Sequence, residues 1–220
     1  MEYRLVKRIK LNFDSGVLLS IDFNLCRESN DLSKVTEEII NEIKDNIKNK
    51  GFPDYLWFRG IGNSLKYSSC KNIIDAIKEI YPHQKIGMYL NCELFQEEKL
   101  RNDFYKSDLV AINLNSIDSV DFSKINKCSN QVNSFDVLEG IKEFRKRFKG
   151  NLGIYTLFLR GINDNMKTIE QLKSFLLEIM PDHFSVSNYI LDNFEPISEE
   201  FKKKIKEIFR YLPFKVIYMF

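Results

Sequence analysis

Residues 55–64 read Tyr55-Leu56-Trp57-Phe58-Arg59-Gly60-Ile61-Gly62-Asn63-Ser64. The apolar and aromatic run Tyr55–Arg59 predicts a short strand, because such side chains pack well on a pleated surface. Gly60 and Gly62 follow it, and glycines there let the backbone turn tightly or approach a ligand closely. Ile73, Ile74, Ile77 and Ile80 then recur at helical spacing and predict a helix over 69–81.

The same alternation extends in both directions. Upstream, Val17-Leu18-Leu19-Ser20-Ile21-Asp22-Phe23 predicts a first strand within 16–25. A helix over 34–50 carries Val35, Ile39, Ile43 and Ile47 on one stripe and stops at Gly51. Downstream, strands are expected over 85–90, 109–114, 152–159, 184–188 and 214–220, and helices over 96–106, 134–148, 168–179 and 199–211. The stretch between 114 and 134 reads as a long loop. Parallel strands cannot be joined without a crossover, so strand–helix alternation predicts a parallel α/β sheet. An open doubly wound sheet and a barrel both fit. Steady succession without a Gly-rich phosphate loop after the first strand favours the barrel, a partial (β/α)6 TIM-like form. No linker or repeat interrupts the chain, so 1–220 is expected to be a single domain.

Composition excludes several classes. Of 220 residues, 44% are hydrophobic and 18 are Phe, enough for a sizeable core. Apolar runs fall short of the roughly 20 residues that span a bilayer. Met1-Glu2-Tyr3-Arg4-Leu5 has no signal-peptide core. Lys and Arg (33) nearly balance Asp and Glu (31), so nucleic acid is not indicated. Cys26, Cys70, Cys92 and Cys128 are too widely spaced for a disulfide framework. A soluble cytoplasmic protein is expected.

In parallel α/β folds, ligands sit at the C-terminal strand ends. That selects Asn24, Cys26 and Arg27, then Arg59–Ser64, Asn91–Glu93, Asn113–Ser116, Arg160–Asp164 and Asn188-Tyr189.

These turns, in order, resemble the radical S-adenosylmethionine (SAM) superfamily, in its archaeal iron–sulfur oxidoreductase branch related to wyosine-base synthases. Phe58-Arg59-Gly60-Ile61-Gly62-Asn63-Ser64-Leu65 stands where that branch has a pattern like F-S-G-S-G-E-P-T. Leu90-Asn91-Cys92 stands at its T-N-G turn, Lys106–Val110 at K-A-D-L-V, and Ile125-Asn126-Lys127 at I-N-R. Val137–Gly150 is similar to I-I-E-G-L-I-E-F-R-K-E-F-K-G, and Leu159–Asp164 to V-K-G-I-N-D. The resemblance covers residues 16–189 and implies a partial barrel of radical-SAM type.

It also exposes departures. The family holds a [4Fe–4S] cluster with C-x-x-x-C-x-x-C after the first strand. Here that window, Phe23–Asn30, contains Cys26 alone. The acidic residue that contacts the SAM ammonium falls on Asn63, which lacks the charge for that bond. Cys92 replaces the glycine of T-N-G. The resemblance therefore implies a degenerate member in which no cluster is expected, acting as a non-catalytic partner or regulator of another protein, an active radical-SAM paralogue being one candidate.

Two other readings stay open. A polar lumen of Asp22, Arg59, Asn63, Asn91, Asn113 and Asn188, with Gly60 and Gly62, could take SAM or another nucleotide-like ligand. Cys26, Cys92 and Cys128, all beyond strand ends, could converge on a metal, although their spacing matches no ligand motif. If strand parity matches that of the family, Asp22 and Arg59 face the lumen from neighbouring strands, where each would make the other's burial tolerable, so they are expected to pair. His83 and His183 fall at the opposite strand ends and read as surface residues. The basic runs Arg145–Arg147 and Lys202–Lys204 read as solvated helix faces.

Overall fold

Val6–Lys10 (β1) and Val17–Asp22 (β2) run antiparallel, with Val6 opposite Ile21 and Lys10 opposite Val17. Sequence reading misses β1, because Val-Lys-Arg-Ile-Lys is too charged to register as an apolar run. The computed structural model describes residues 6–10, 17–23, 32–61, 64–126, 132–188 and 195–220. It divides into two compact units, Met1–Leu90 with Lys106–Val110, and Asn91–Tyr105 with Ala111–Phe220.

In the first unit, Tyr55–Ile61 (β3) lies parallel to β2, and Ile86–Asn91 (β4) lies parallel to β3. Leu32–Lys50 (α1) and Ser64–Ile80 (α2) supply the crossovers. Leu19, Ile21, Leu56, Phe58, Ile86 and Met88 are buried and share one sheet face. On the other face, Ser20, Trp57 and Gly87 form a single register row. A Cβ on Gly87 would lie 2.5 Å from Trp57 Cε3, so the missing side chain is what admits the indole.

The second unit opens with a 3-10 turn, Cys92–Gln96, and a helix, Glu98–Phe104 (α3). After the strand Leu109–Asn113 (β5), whose first two residues belong to the first unit, comes Ser119–Asn126 (α4). This helix replaces part of the expected long loop. Only a weak apolar stripe marks it, but Asp118 begins it, its Oδ1 accepting from the backbone N–H groups of Val120 and Asp121. Ser134–Arg147 (α5) leads to Asn151–Leu157 (β6), Met166–Ile179 (α6) to His183–Ser187 (β7), and Glu199–Phe209 (α7) to Lys215–Met219 (β8). β6, β7 and β8 pair in parallel, in that order. Phe144 on α5 stacks on Phe148 at 4.6 Å and meets Phe95 edge-on at 5.2 Å. Gly140 lets α5 close on the Phe95 carbonyl.

One device recurs at the N-terminal strand ends. Asp54, immediately before β3, accepts the Val17 N–H on its carboxylate at 2.6 Å and donates its own N–H to the Val17 carbonyl at 2.8 Å. Asp108, before β5, brackets Ile86 the same way, and Asp182, before β7, brackets Leu152. Asp182 also pairs with Arg145 at 3.1 Å.

His83 is exposed, as expected, whereas His183 is not a surface residue. His183 is half-buried, its ring laid over Gly153 so that a Cβ there would come 2.6 Å from Cε1. Burial lowers its pKa below the ordinary 6.5, Asp182 opposes that shift and Lys215 adds to it. Below that ordinary value the unfolded chain takes up a proton that the fold resists, so stability falls as pH drops. Urea midpoints at about pH 7.5 and about pH 5 should show this loss, and His183→Gln should flatten it. An unchanged slope in the variant would assign the loss to other groups.

Candidate functional site

Strand pairing puts Asp22 directly opposite Arg59. Arg59 Nε and Nη2 each donate to Asp22 Oδ2 at 2.8 Å, so the expected pair forms. It is less buried than a closed lumen would make it, with side-chain exposures of 50% for Arg59 and 16% for Asp22. Solvent screening holds the pair to about 1 kcal/mol or less. The guanidinium is accordingly an exposed cation held in place by Asp22. Gly60, next along β3, has φ +77°, the left-handed region that a glycine adopts without strain. Gly62 and Asn63 lie outside the described residues.

Asn24 also lies outside the described residues, and Asn91 (the last residue of β4), Asn113 and Asn188 fall in the second unit. Asn91 is half-buried and precedes the 3-10 turn, with no side-chain hydrogen bond capping it. Asn188 is half-buried just beyond β7. Asn113 ends β5, and its Oδ1 is buried with no hydrogen-bond partner among the described residues. An amide oxygen left so costs about 1–3 kcal/mol, which makes Asn113 the candidate that asks for an additional donor.

Two asparagines outside the principal set organise this end of the second unit. Asn163 is fully buried, donates Nδ2 to the Asn115 carbonyl (2.7 Å) and the Leu157 carbonyl (2.9 Å), and accepts the Leu159 N–H (2.6 Å). Asn115 in turn accepts the Leu157 N–H at 2.8 Å, and Thr156 Oγ1 donates to the Leu114 carbonyl at 2.6 Å. The Gly-Ile-Asn-Asp turn is therefore a clamp tying the end of β6 to the segment after β5. Asn163 was legible as a strand-end polar residue but not as a structural one, since side-chain-to-backbone bonds leave no spacing signature. Nearby, Lys167 pairs with Asp118 at 2.6 Å, and that bond, with the N–H groups of Asp121 and Val120, lowers the Asp118 pKa.

Two of the four cysteines, Cys70 and Cys92, fall among the described residues. Cys70 is fully buried in the middle of α2, where desolvation pushes its thiol pKa well up, and Cys92 is buried at the start of the 3-10 turn. Cys26 and Cys128 lie outside the described residues. Among the described residues no group of three His, Cys, Asp or Glu side chains is placed to hold a metal ion, and no helix is long and apolar enough to cross a membrane.

The architecture is an α/β fold of the partial-barrel type found in radical SAM enzymes. It superposes on a domain of pyruvate-formate lyase-activating enzyme from Bacteroides vulgatus with a TM-score of 0.59 and 19% identity, over 74% of this chain and 97% of that one. A radical SAM methyltransferase from Sphaerobacter thermophilus matches with a TM-score of 0.61 and 10% identity, over 85% of this chain and 57% of that one. In sequence, the chain is 25% identical to a UPF0026 protein of Methanocaldococcus jannaschii over 92% of its length and 64% of the relative's. It is 28% identical to a protein of Brachyspira hyodysenteriae named GTPase Obg, over 66% of this chain and 21% of that one. The chain thus spans only part of the curated relatives it matches. No protein-family model matches it.

Proposed function

We propose that this chain keeps the radical SAM fold without the iron–sulfur cluster and acts as a non-catalytic partner of another protein. The observation that carries this reading is the supply of thiolates. A [4Fe–4S] cluster of this kind needs three of them together, and the window after β2 offers Cys26 alone. Cys70 is no substitute, because a thiol sealed inside α2 resists the deprotonation that iron ligation requires. The donor set does not fit the cluster. Asn63 in place of an acidic residue and Cys92 in place of a turn glycine point the same way.

The test is anaerobic purification and reconstitution with iron and sulfide, followed by metal and sulfide quantification. The expected result is well under one iron per chain and no broad absorbance near about 400 nm. About four irons per chain would overturn the reading. Zinc at one per chain would instead favour a thiolate metal site. A second reading, a small-ligand binder, is favoured by the buried, unpartnered Oδ1 of Asn113. Calorimetric titration with SAM and S-adenosylhomocysteine separates the two, because only the second predicts heat.

A further inference from the structure

Among the described residues, β8 has a hydrogen-bonded neighbour on one side only. It pairs with β7 from Lys215 to Met219, and among the described residues no strand lies against its other edge. Its sequence, Lys-Val-Ile-Tyr-Met, has a lysine only at its first position and no proline inside. Edges of this kind are normally blunted or covered, because an open row of N–H and C=O groups next to apolar side chains is a template for another strand.

Beside this edge, on the sheet face that carries α7, lies a cavity of about 660 Å³ lined by Phe209, Phe214, Val216, Tyr218, Lys206, Arg210 and Glu207. The Tyr218 hydroxyl is buried with no hydrogen-bond partner among the described residues. Lys206 and Arg210 are exposed and form no ion pair among the described residues, in contrast to Lys202 and Lys204 earlier on α7, which pair with Glu199 and Glu200. Lys206 is instead held over the rings of Tyr218 (5.9 Å) and Phe220 (5.3 Å), a cation–π placement that keeps its charge at the rim of the cavity. Glu207 is the one carboxylate among the lining residues, and Glu199, already paired with Lys202, also acts on Lys206 through space.

We propose that the β8 edge and this cavity form a strand-addition site for an extended acidic peptide segment of a partner protein. The peptide backbone continues the sheet beyond β8, as in β-augmentation. Alternate side chains of an added strand fall on the α7 side, where Phe214 and Val216 receive aliphatic groups and the Tyr218 hydroxyl gains a polar neighbour. Glutamate or aspartate flanking those groups meets Lys206 and Arg210. An open strand edge favours peptide over nucleic acid, since only a peptide backbone reciprocates its N–H and C=O pattern. This inference deepens the partner reading above by naming the partner's chemistry. Its test does not involve iron, so either can fail alone.

The probe is a fluorescein-labelled peptide of about six residues, the length of an ordinary strand, alternating valine with glutamate. It is compared with a valine–lysine counterpart, with the acidic peptide N-methylated at alternate residues, and with oligothymidylate. Fluorescence anisotropy should show the acidic peptide binding at least about tenfold more tightly than each of the other three. Hydrogen exchange should slow at Val216–Met219 on its addition. The double variant Lys206→Glu with Arg210→Glu, both at exposed positions, should reverse the preference toward the lysine peptide. No binding of the acidic peptide, equal binding of its N-methylated form, tighter binding of oligothymidylate, or protection confined to segments other than β8 would each overturn the proposal.

Discussion

Gly140→Ala is expected to destabilise the chain by about 2 kcal/mol or more, although alanine is the better helix former. In the middle of α5, alanine should gain up to about 1 kcal/mol over glycine. Against that, its Cβ would lie 2.7 Å from the Phe95 carbonyl carbon, closer still to the carbonyl oxygen, and 3.1 Å from Arg101 Nη1. The obstacle is backbone, which cannot swing aside as a side chain can. Moving it would also loosen the Arg101-to-Phe95 hydrogen bond (2.5 Å) and the contact of Phe95 with Phe144. Overpacking of this kind costs about 1–3 kcal/mol, occasionally more, so the clash wins. Urea denaturation measures it. A midpoint equal to or above that of the unsubstituted protein would show that α5 does not close on the 3-10 turn.

Asn163→Asp should cost more, and its cost should depend on pH. The amide nitrogen donates to two carbonyls inside a site with no solvent exposure. A carboxylate there would point an anion at both acceptors, whereas a neutral carboxyl could donate to one of them. About 3 kcal/mol or more is expected near neutral pH. Burial among acceptors raises the carboxyl pKa in the folded state above its unfolded value of about 3.9. The variant should therefore recover part of its stability as pH falls from about 7.5 toward 5. The sign is opposite to that expected for His183, which makes the two separable in one titration of urea midpoints. A loss independent of pH would mean that the site admits water.

How much of this was readable beforehand follows from the kind of signal each feature leaves. Helices with full apolar stripes, such as α5 with Val137, Ile141 and Phe144 buried, announce themselves through periodicity. Strand parity, read with the inward face of the family it resembles, placed Asp22 beside Arg59, because pairing between adjacent strands is a matter of register. Features built from backbone bonds were not legible. β1 is charged, α4 is short, and the Asn115–Asn163 clamp uses side-chain bonds to main-chain groups at separations of 42 and 48 residues. The exposure of Arg59 was also beyond sequence reading, since alternation reports which face a residue takes and not how much covers that face. His183 was misjudged for a related reason. Its position at a strand start suggested the surface, but the absent side chain at Gly153 opened a berth for the ring.

The aspartates before β3, β5 and β7 have a consequence for what such a chain can lose. Each fixes a two-strand register from the strand starts, through one carboxylate and one amide on the same partner residue. None of the three lies at the strand ends that carry Arg59, Gly60, Asn113 or Asn188. The residues that set register and the candidate site residues thus stand at opposite ends of the same strands. Substitutions at one end need not be read by the other. Replacing Arg59, Asn113 or Asn188 should therefore leave the three registers set by Asp54, Asp108 and Asp182 intact.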